Sequence, residues 1–354
     1  LKVVRVAPTG AVNACVSGTA ILIKNTSHYQ DGDGSTGPYS GGQANVGQWA
    51  ARTAGEWGNG LKVSMCTSAA AYYENNKTTV TPAEAAGQTV ISLTSATGFF
   101  VGDIVGFEEA DGQRYKITAI NSNDITFERY PATTATGLAS ALTNLTNVDR
   151  WWEYYEQFSG APGTSQYASD RSSSGDEMHI IVVDEDGDIS GVAGEVLEKW
   201  ENVSKASDAK TDDGAGNYYV DVLYTGSNYL YWMDHAAGGS DWGQTAATAA
   251  AFAAATNIVQ TDSLVGGVGS AVAPTEGQRQ LAYTKAYSDP DTEDVNLLIS
   301  GPSSVDNGGA TTHGVFMTDL VGKRKDCMAF ISADPVSYTH LRAHETDSYL
   351  VCRL

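Results

Sequence analysis

The chain has 354 residues, with 21 Lys and Arg against 42 Asp and Glu, a formal net charge of −21. Such an excess of acid repels phosphate backbones and anionic headgroups, which argues against a nucleic-acid partner or membrane insertion, and no run approaches the roughly 18 consecutive apolar residues of a bilayer span. An apolar content of 42% with 18% charged residues is the composition of a chain that builds packed cores, and the length predicts about two or three domains.

The first residues, LKVVRV from Leu1, alternate like a strand and carry neither an initiator Met nor a signal-peptide pattern, so residues are expected to be missing before Leu1. Ala44-Asn45 leads into a predicted short helix over Val46 to Thr53, stopped by Gly55. GEWGNG, Gly55 to Gly60, supplies glycines for a sharp turn into a predicted strand, Leu61 to Cys66.

Beyond Thr67 the pattern becomes period two with turn punctuation. Strands are predicted at Thr89–Thr94, Asp103–Glu108, Arg114–Ile120 and Asp124–Arg129, with turns at Asp111-Gly112 and Asn121-Ser122-Asn123. Trp151, Tyr154, Tyr155 and Phe158 then stand at i, i+3, i+4, i+7 after Asn147, which predicts a short aromatic-faced helix that packs in a core or an interface. Met178 to Val183, MHIIVV, reads as a strand buried on both faces, followed by the turn Asp184-Glu185-Asp186-Gly187 and a helix over Ala193 to Lys205.

Farther on, the alanine-rich Thr245 to Thr256 favours a helix and the glycines of Gly266 to Gly269 a loop. Val295 to Ser300 is a predicted buried strand; His313, Phe316, Met317, Leu320 and Val321 form a helical stripe closed by Lys323, Arg324 and Lys325; Met328 to Ser332 begins another strand. Strand, helix and strand at this spacing predict a βαβ unit, with His313 as a packing histidine. The fold expected from these elements is α/β: a body with a mostly parallel sheet, interrupted by an inserted antiparallel β domain. Its parts are residues 1–66, the insertion 67–148, the returning body 149–280, and a βαβ core segment 281–334. The remaining run, 335–354, reads PVSYTHLRAHETDSYLVCRL and resembles translated adapter read-through, so it is set aside as a scar together with the i, i+4 pair His340 and His344.

No motif carries chemistry. DGDGS from Asp31 and DEDGD from Asp184 resemble the start of an oxygen-ligand loop, but no choice of first Asp puts Gly at position six and Glu at position twelve, and Asx turns explain both. Gly266 to Gly269 has no lysine for a phosphate loop, and there is no GxSxG elbow. The cysteines, Cys15, Cys66, Cys327 and Cys352, are scattered without a CxxC pair, which predicts reduced thiols. The expected site list is therefore empty: no catalytic, cofactor-binding or metal-binding residue, no cofactor, and no enzyme.

Five blocks taken in order resemble contractile tail sheath proteins of large myovirus-type phages. They are LKVVRV at Leu1, AARTAGEWGNGLKVSM from Ala50, VVDEDGDISGVAGEVLEKWENVSKASDAK from Val182, AYSDPDTEDVNLLISG from Ala286 and GKRKDCMAFIS from Gly322. The resemblance implies a structural subunit of the virion that stacks in hexameric rings around the tail tube and contracts to drive the tube through the host envelope. It further implies homo-oligomeric contacts with other sheath subunits, tail tube, baseplate and tail terminator proteins as partners, and assembly in the host cytoplasm. By the same resemblance, segment 67–148 is the outward-protruding domain, 281–334 begins the core domain, and the terminal arms that pair with neighbouring subunits are absent. The alternative from a different class is an acidic, calcium-dependent carbohydrate-binding or adhesion protein, suggested by the DGDGS loop, the aromatic stripe and the β domain.

Overall fold

The computed structural model describes residues 4, 6–7, 10–32, 37–109, 112–270, 274–302 and 313–332. They fall into two compact units, one spanning Val12–Val268 and one that joins the first residues to those from Gly269 onward. In chain order the larger unit contains α1 (Thr26–Asp31), β1 (Trp49–Ala51), β2 (Leu61–Cys66), α2 (Ala69–Tyr72), β3 (Tyr73–Thr79), β4 (Val90–Ser92), β5 (Ile104–Gly106), β6 (Arg114–Asn121) and β7 (Asp124–Tyr130). It continues with β8 (Asn147–Trp151), α3 (Gln166–Ser169), β9 (Glu177–Asp184), β10 (Glu195–Ser204), α4 (Tyr219–Gly226), β11 (Leu230–Trp232) and β12 (Val259–Ser263).

Its centre is a four-stranded sheet in the order β10-β9-β2-β12, antiparallel at every pairing. Side chains alternate across a strand, so β2 and β9 feed two cores. Leu61, Val63, Met65, Ile180 and Val182 pack with Trp49, Tyr219, Leu223, Leu230 and Trp242 on one face; Cys66, Ile181 and Val183 pack with Ala71, Trp152, Phe158 and Val259 on the other. The unbroken apolar run MHIIVV therefore reports two covered faces, as expected, but not strand direction. The mostly parallel sheet of the expected α/β class is not what forms: among the described residues every sheet is antiparallel except the two-stranded one in the second unit.

Four predicted helices in this unit are also corrected. Ala193 to Lys205 lies mainly in β10, because the ladder of Glu195–Ser204 along β9 outweighs the helix preference of its Glu, Leu and Lys residues. Val46 to Thr53 contains β1, whose Trp49, Ala50 and Ala51 are fully buried opposite β11. At Trp151 to Phe158 the aromatic spacing is not one helix face: Trp151 ends β8, Trp152 is buried, and a single 3-10 turn covers Tyr155–Gln157. Thr245 to Thr256 forms turns whose Ala246, Ala249, Phe252 and Ala255 are pressed into the first core.

The second sheet has six antiparallel strands in the order β3-β8-β5-β6-β7-β4 and its own core of Val80, Ile91, Phe107, Tyr115, Ile117, Ile125, Phe127 and Val148. Four of these strands coincide with the predicted segments. The β6–β7 turn is Asn121-Ser122-Asn123, with Ser122 at φ 57°. The chain enters the sheet by β3 and leaves it by β8, and these two strands pair with Tyr73 opposite Trp151. At that junction the Trp152 indole donates to Ser64 Oγ of β2 at 2.9 Å. Arg150, fully buried, donates from Nε to Asp103 at 3.0 Å and from Nη2 to the Ala71 carbonyl at 2.9 Å.

The smaller unit holds α5 (Glu276–Tyr287), β13 (Leu297–Pro302), α6 (His313–Arg324) and β14 (Met328–Ser332). Here the expected βαβ order appears, β13 and β14 pairing in parallel with Leu298 opposite Ala329. Tyr287, Leu298, Met317 and Leu320 form its core. Helix α5 opens on a capping box between Thr275 and Gln278, a start signal the sequence reading did not use.

Two of the larger unit's histidines, His179 and His235, are neutral packing groups. His179 stacks on Phe158 with ring centroids 4.5 Å apart; its Nε2 donates to the Gly160 carbonyl at 2.8 Å and its Nδ1 accepts from the Asn202 amide at 3.1 Å. His235 packs against Trp232 and accepts from the Tyr219 hydroxyl, which itself accepts from the Trp232 indole at 2.9 Å. Burial holds both rings below the ordinary histidine pKa.

Two outcomes follow. Arg150→Ala, which strands Asp103 in the interior, is expected to cost about 3–5 kcal/mol in urea unfolding, and Arg150→Met with Asp103→Leu to cost clearly less; equal losses would contradict a buried pair at the junction. Because the folded rings resist protonation, the unfolded chain gains protons first as pH falls through 6.5, and the histidine contribution, complete above that pH, is lost toward acid. Asp103, pushed up to about 6 by burial against the pull of Arg150, contributes with the opposite sign. The comparison with His179→Gln isolates the histidine: its melting temperature should fall less between pH 7 and 5 than that of the parent.

Candidate assembly surface

The residues that raised the question of chemistry prove to be turn and packing elements wherever they are described. The Asp184 carboxylate accepts from the amides of Gly187, Ile189 and Ser190 at 3.0, 3.1 and 2.6 Å and from Ser190 Oγ at 2.8 Å. Burial alone would raise its pKa, but these bonds lower it, and they occupy its oxygens with the turn itself. In the DGDGS loop, Asp31 ends α1 and residues 33–36 lie outside the described residues. Among the described residues no group of three or more His, Cys, Asp and Glu is placed to hold a metal ion. Gly267 exchanges hydrogen bonds with Asn59, at 2.7 and 2.9 Å, and a Cβ on Gly266, at φ 76°, would meet the Gly18 carbonyl.

The aromatic stripe divides in the same way. Trp152 and Phe158 are core, whereas Trp151 stacks on Tyr73 and lies under the Arg114 guanidinium, 4.3 Å from the ring centroid. Cys15 and Cys66 are buried free thiols, and burial raises the pKa of Cys66. Lys205 is a charge-bearing group the sequence did not mark: it is almost fully buried and lowered to about 8 by that burial. Its Nζ donates to the carbonyls of Thr67 and Gly175 at 2.8 and 2.7 Å, beside the Trp242 ring, which makes it a brace between the β2–α2 link and the start of β9. His340, His344 and Cys352 lie outside the described residues.

What does stand out is a surface. On β13 and β14 the small residue Ala329 and the buried Leu298 face α5 and α6, and the large residues point away. Leu297 stands opposite Met328 and Ile299 opposite Phe330, and these four are 47%, 62%, 68% and 57% exposed. The strand expected to be buried is thus buried on one face only. An all-apolar run such as LLI cannot show this, but the large-small-large order of Met328-Ala329-Phe330 does carry the signal.

The helices behind this face are tied down internally. The guanidinium of Arg324, expected as a helix-end charge, is buried and donates to the Tyr287 and Glu293 carbonyls at 2.7 Å and to both oxygens of Asp326. His313 is buried beside Tyr283 and Phe316 with Nδ1 2.9 Å from Glu276, and burial lowers its pKa, in keeping with a packing role. Tyr283 donates to the Ile299 carbonyl at 2.7 Å and lines, with Val4, Val6, Tyr287 and Val295, a groove of about 450 Å³ along β13. The polar groups of Arg324 and Tyr283 are satisfied inward while large apolar side chains are left outward, which is the arrangement of a contact surface.

No protein-family model matches the chain. It is 25% identical over 247 residues to the tail sheath protein of Salmonella phage ViI, an alignment that covers 65% of this chain and 36% of that protein. The chain thus spans about a third of the length of the curated relative it matches. The similarity is distant, and it supports an affiliation with phage tail sheath proteins, as the sequence blocks imply.

Proposed function

We propose that the chain is a structural subunit of a contractile phage tail sheath, that it polymerises as stacked hexameric rings around the tail tube, and that contraction of those rings drives the tube through the host envelope. The observation that carries this reading is the similarity over 247 residues to a protein named tail sheath protein. On this reading the function is mechanical and uses no catalytic group or cofactor. The partners are other copies of the subunit, the tube, the baseplate and the tail terminator, and assembly takes place in the host cytoplasm.

The architecture is compatible with such work. The six-stranded sheet is entered and left at one junction, so it is able to project outward while the four-stranded sheet keeps its packing. The strongly acidic chain would keep free subunits apart until specific contacts form. Co-expression of the complete protein with the tail tube protein, followed by sedimentation, should bring the two down together as tubes visible by electron microscopy. A complete protein that stays in the supernatant while tubes pellet alone would sink the proposal.

A further inference from the structure

We infer that His179 is the pin of an acid-sensitive latch: the neutral ring fastens residues 157–160, on the connection that leaves the six-stranded sheet, to a bulge in β10, and a second proton on the ring releases them. The inference concerns the larger unit alone and stands whatever the chain assembles into.

The bulge is where the central sheet departs from its regular ladder. Trp200 stands opposite Ile180 and Val203 opposite Met178, so two residues of β10, Glu201 and Asn202, share the single position of His179 on β9. Asn202 has a φ of 52°, in the left-handed region that side chains ordinarily avoid, and its Oδ1 is buried without a hydrogen-bond partner among the described residues. Strain and an orphaned oxygen persist together only where the surroundings hold the backbone in place.

The fully buried His179 ring is what holds it. The Gly160 carbonyl can only accept, so Nε2 carries the proton; the Asn202 amide can only donate, so Nδ1 carries none. The two bonds, at 2.8 and 3.1 Å, thus admit one tautomer and one protonation state. Parallel ties join the same segments: the Ser159 amide donates to Glu201 at 2.8 Å, and Lys199 Nζ donates to the Gln157 carbonyl at 2.7 Å. Phe158 lies flat on the imidazole between them, at an interplanar angle of 4°.

A proton added at Nδ1 turns the acceptor into a donor and sets it against the Asn202 N–H, so that two buried hydrogens lose their partner. The bulge must then move, and the spare Oδ1 of Asn202 offers the new N–H an acceptor on the same residue. Of the groups around the ring, Glu201 on β10 favours the imidazolium and Lys199, beyond Phe158, opposes it. Tyr72 of α2 and Cys66, opposite His179 on β2, stay neutral because burial raises their pKa, and Glu177 on β9 is engaged by the Gly163 amide. Burial outweighs Glu201 and keeps the closed ring neutral, so proton uptake goes with opening.

The test is hydrogen exchange of the 354-residue chain, read by mass spectrometry between pH 7 and 5 and divided by the intrinsic amide rates. One proton taken up on opening makes the protection of the Ser159 and Asn202 amides fall about tenfold per pH unit below about pH 6.5, until the closed ring itself titrates, while the β6–β7 hairpin keeps its protection. His179→Gln offers an oxygen to Asn202 and an N–H to Gly160 without titrating, and should retain the protection at pH 7 and abolish the fall. Should that variant unfold, nitrogen-15 NMR of the parent's histidines decides: the His179 ring must carry its proton on Nε2 at pH 7 and become doubly protonated as the protection is lost. Protection in the parent that does not change with pH would overturn the inference, as would an equal fall in folded His179→Gln. Imidazolium formed while the Asn202 amide stays protected would overturn it too.

Discussion

Strand β9 is buried on both faces and paired on both edges, and the larger unit is arranged to satisfy that constraint. Its edges are met by β2 and β10, its alternating side chains by two separate cores. One face is closed by an aromatic and alanine-rich layer in which Trp49 of β1, Tyr219 of α4 and Trp242 of a turn region fill the space. The other face is closed where the six-stranded sheet joins, by Trp152, Phe158 and the short helix α2. Several polar groups drawn into these layers are matched: Trp152 to Ser64, Arg150 to Asp103 and the Ala71 carbonyl, Lys205 to two carbonyls, and His179 to Gly160 and Asn202. A buried donor without a partner would cost more than the bond returns, which is why these pairs sit at the seams.

What could be read from the sequence follows the same physics. The hairpin region was legible because one face of each strand is wet: alternation in RYKITAIN and DITFERY, with a turn at Asn121-Ser122-Asn123, leaves little choice of register. Leu61–Cys66 was legible from the glycine turn that precedes it, and the βαβ order of β13, α6 and β14 from the spacing of its apolar runs and helical stripe. Strand direction in the central sheet was not, because an apolar run says only that both faces are covered. The strand β10 was hidden by helix-favouring residues that tertiary pairing overrides, and β3, YENNKTT, by its polarity at the edge of a sheet. The aromatic residues from Trp151 to Phe158 matched a helical period by coincidence, since they fill two sides of a bend. As for the site, the Asx-turn reading of DEDGD matches a loop in which Asp184 closes on its own backbone, whereas the exposed apolar face went unnoticed because the run LLI does not tell burial from exposure and only the order Met328-Ala329-Phe330 hints at it.

The two features with most bearing on function are opposites. The chain carries a net charge of −21, which sets copies against one another, and one face of the smaller unit is apolar and uncharged. A subunit built this way associates where its apolar face finds a match and resists indiscriminate contact elsewhere. In the proposed sheath such selectivity would let rings form in one register, with the six-stranded sheet, joined at a single seam, free of the contacts that hold the lattice.

The sheath assignment is tested most directly by locating the protein on the virion. A short epitope placed at Ser122, in the exposed β6–β7 turn, would be carried by the complete protein into assembling phage, and gold-labelled antibody would mark it by electron microscopy. The account predicts label repeated along the whole length of the tail. Label confined to the capsid, the fibres or the baseplate, or absent from particles that assemble normally around the tagged protein, would contradict it.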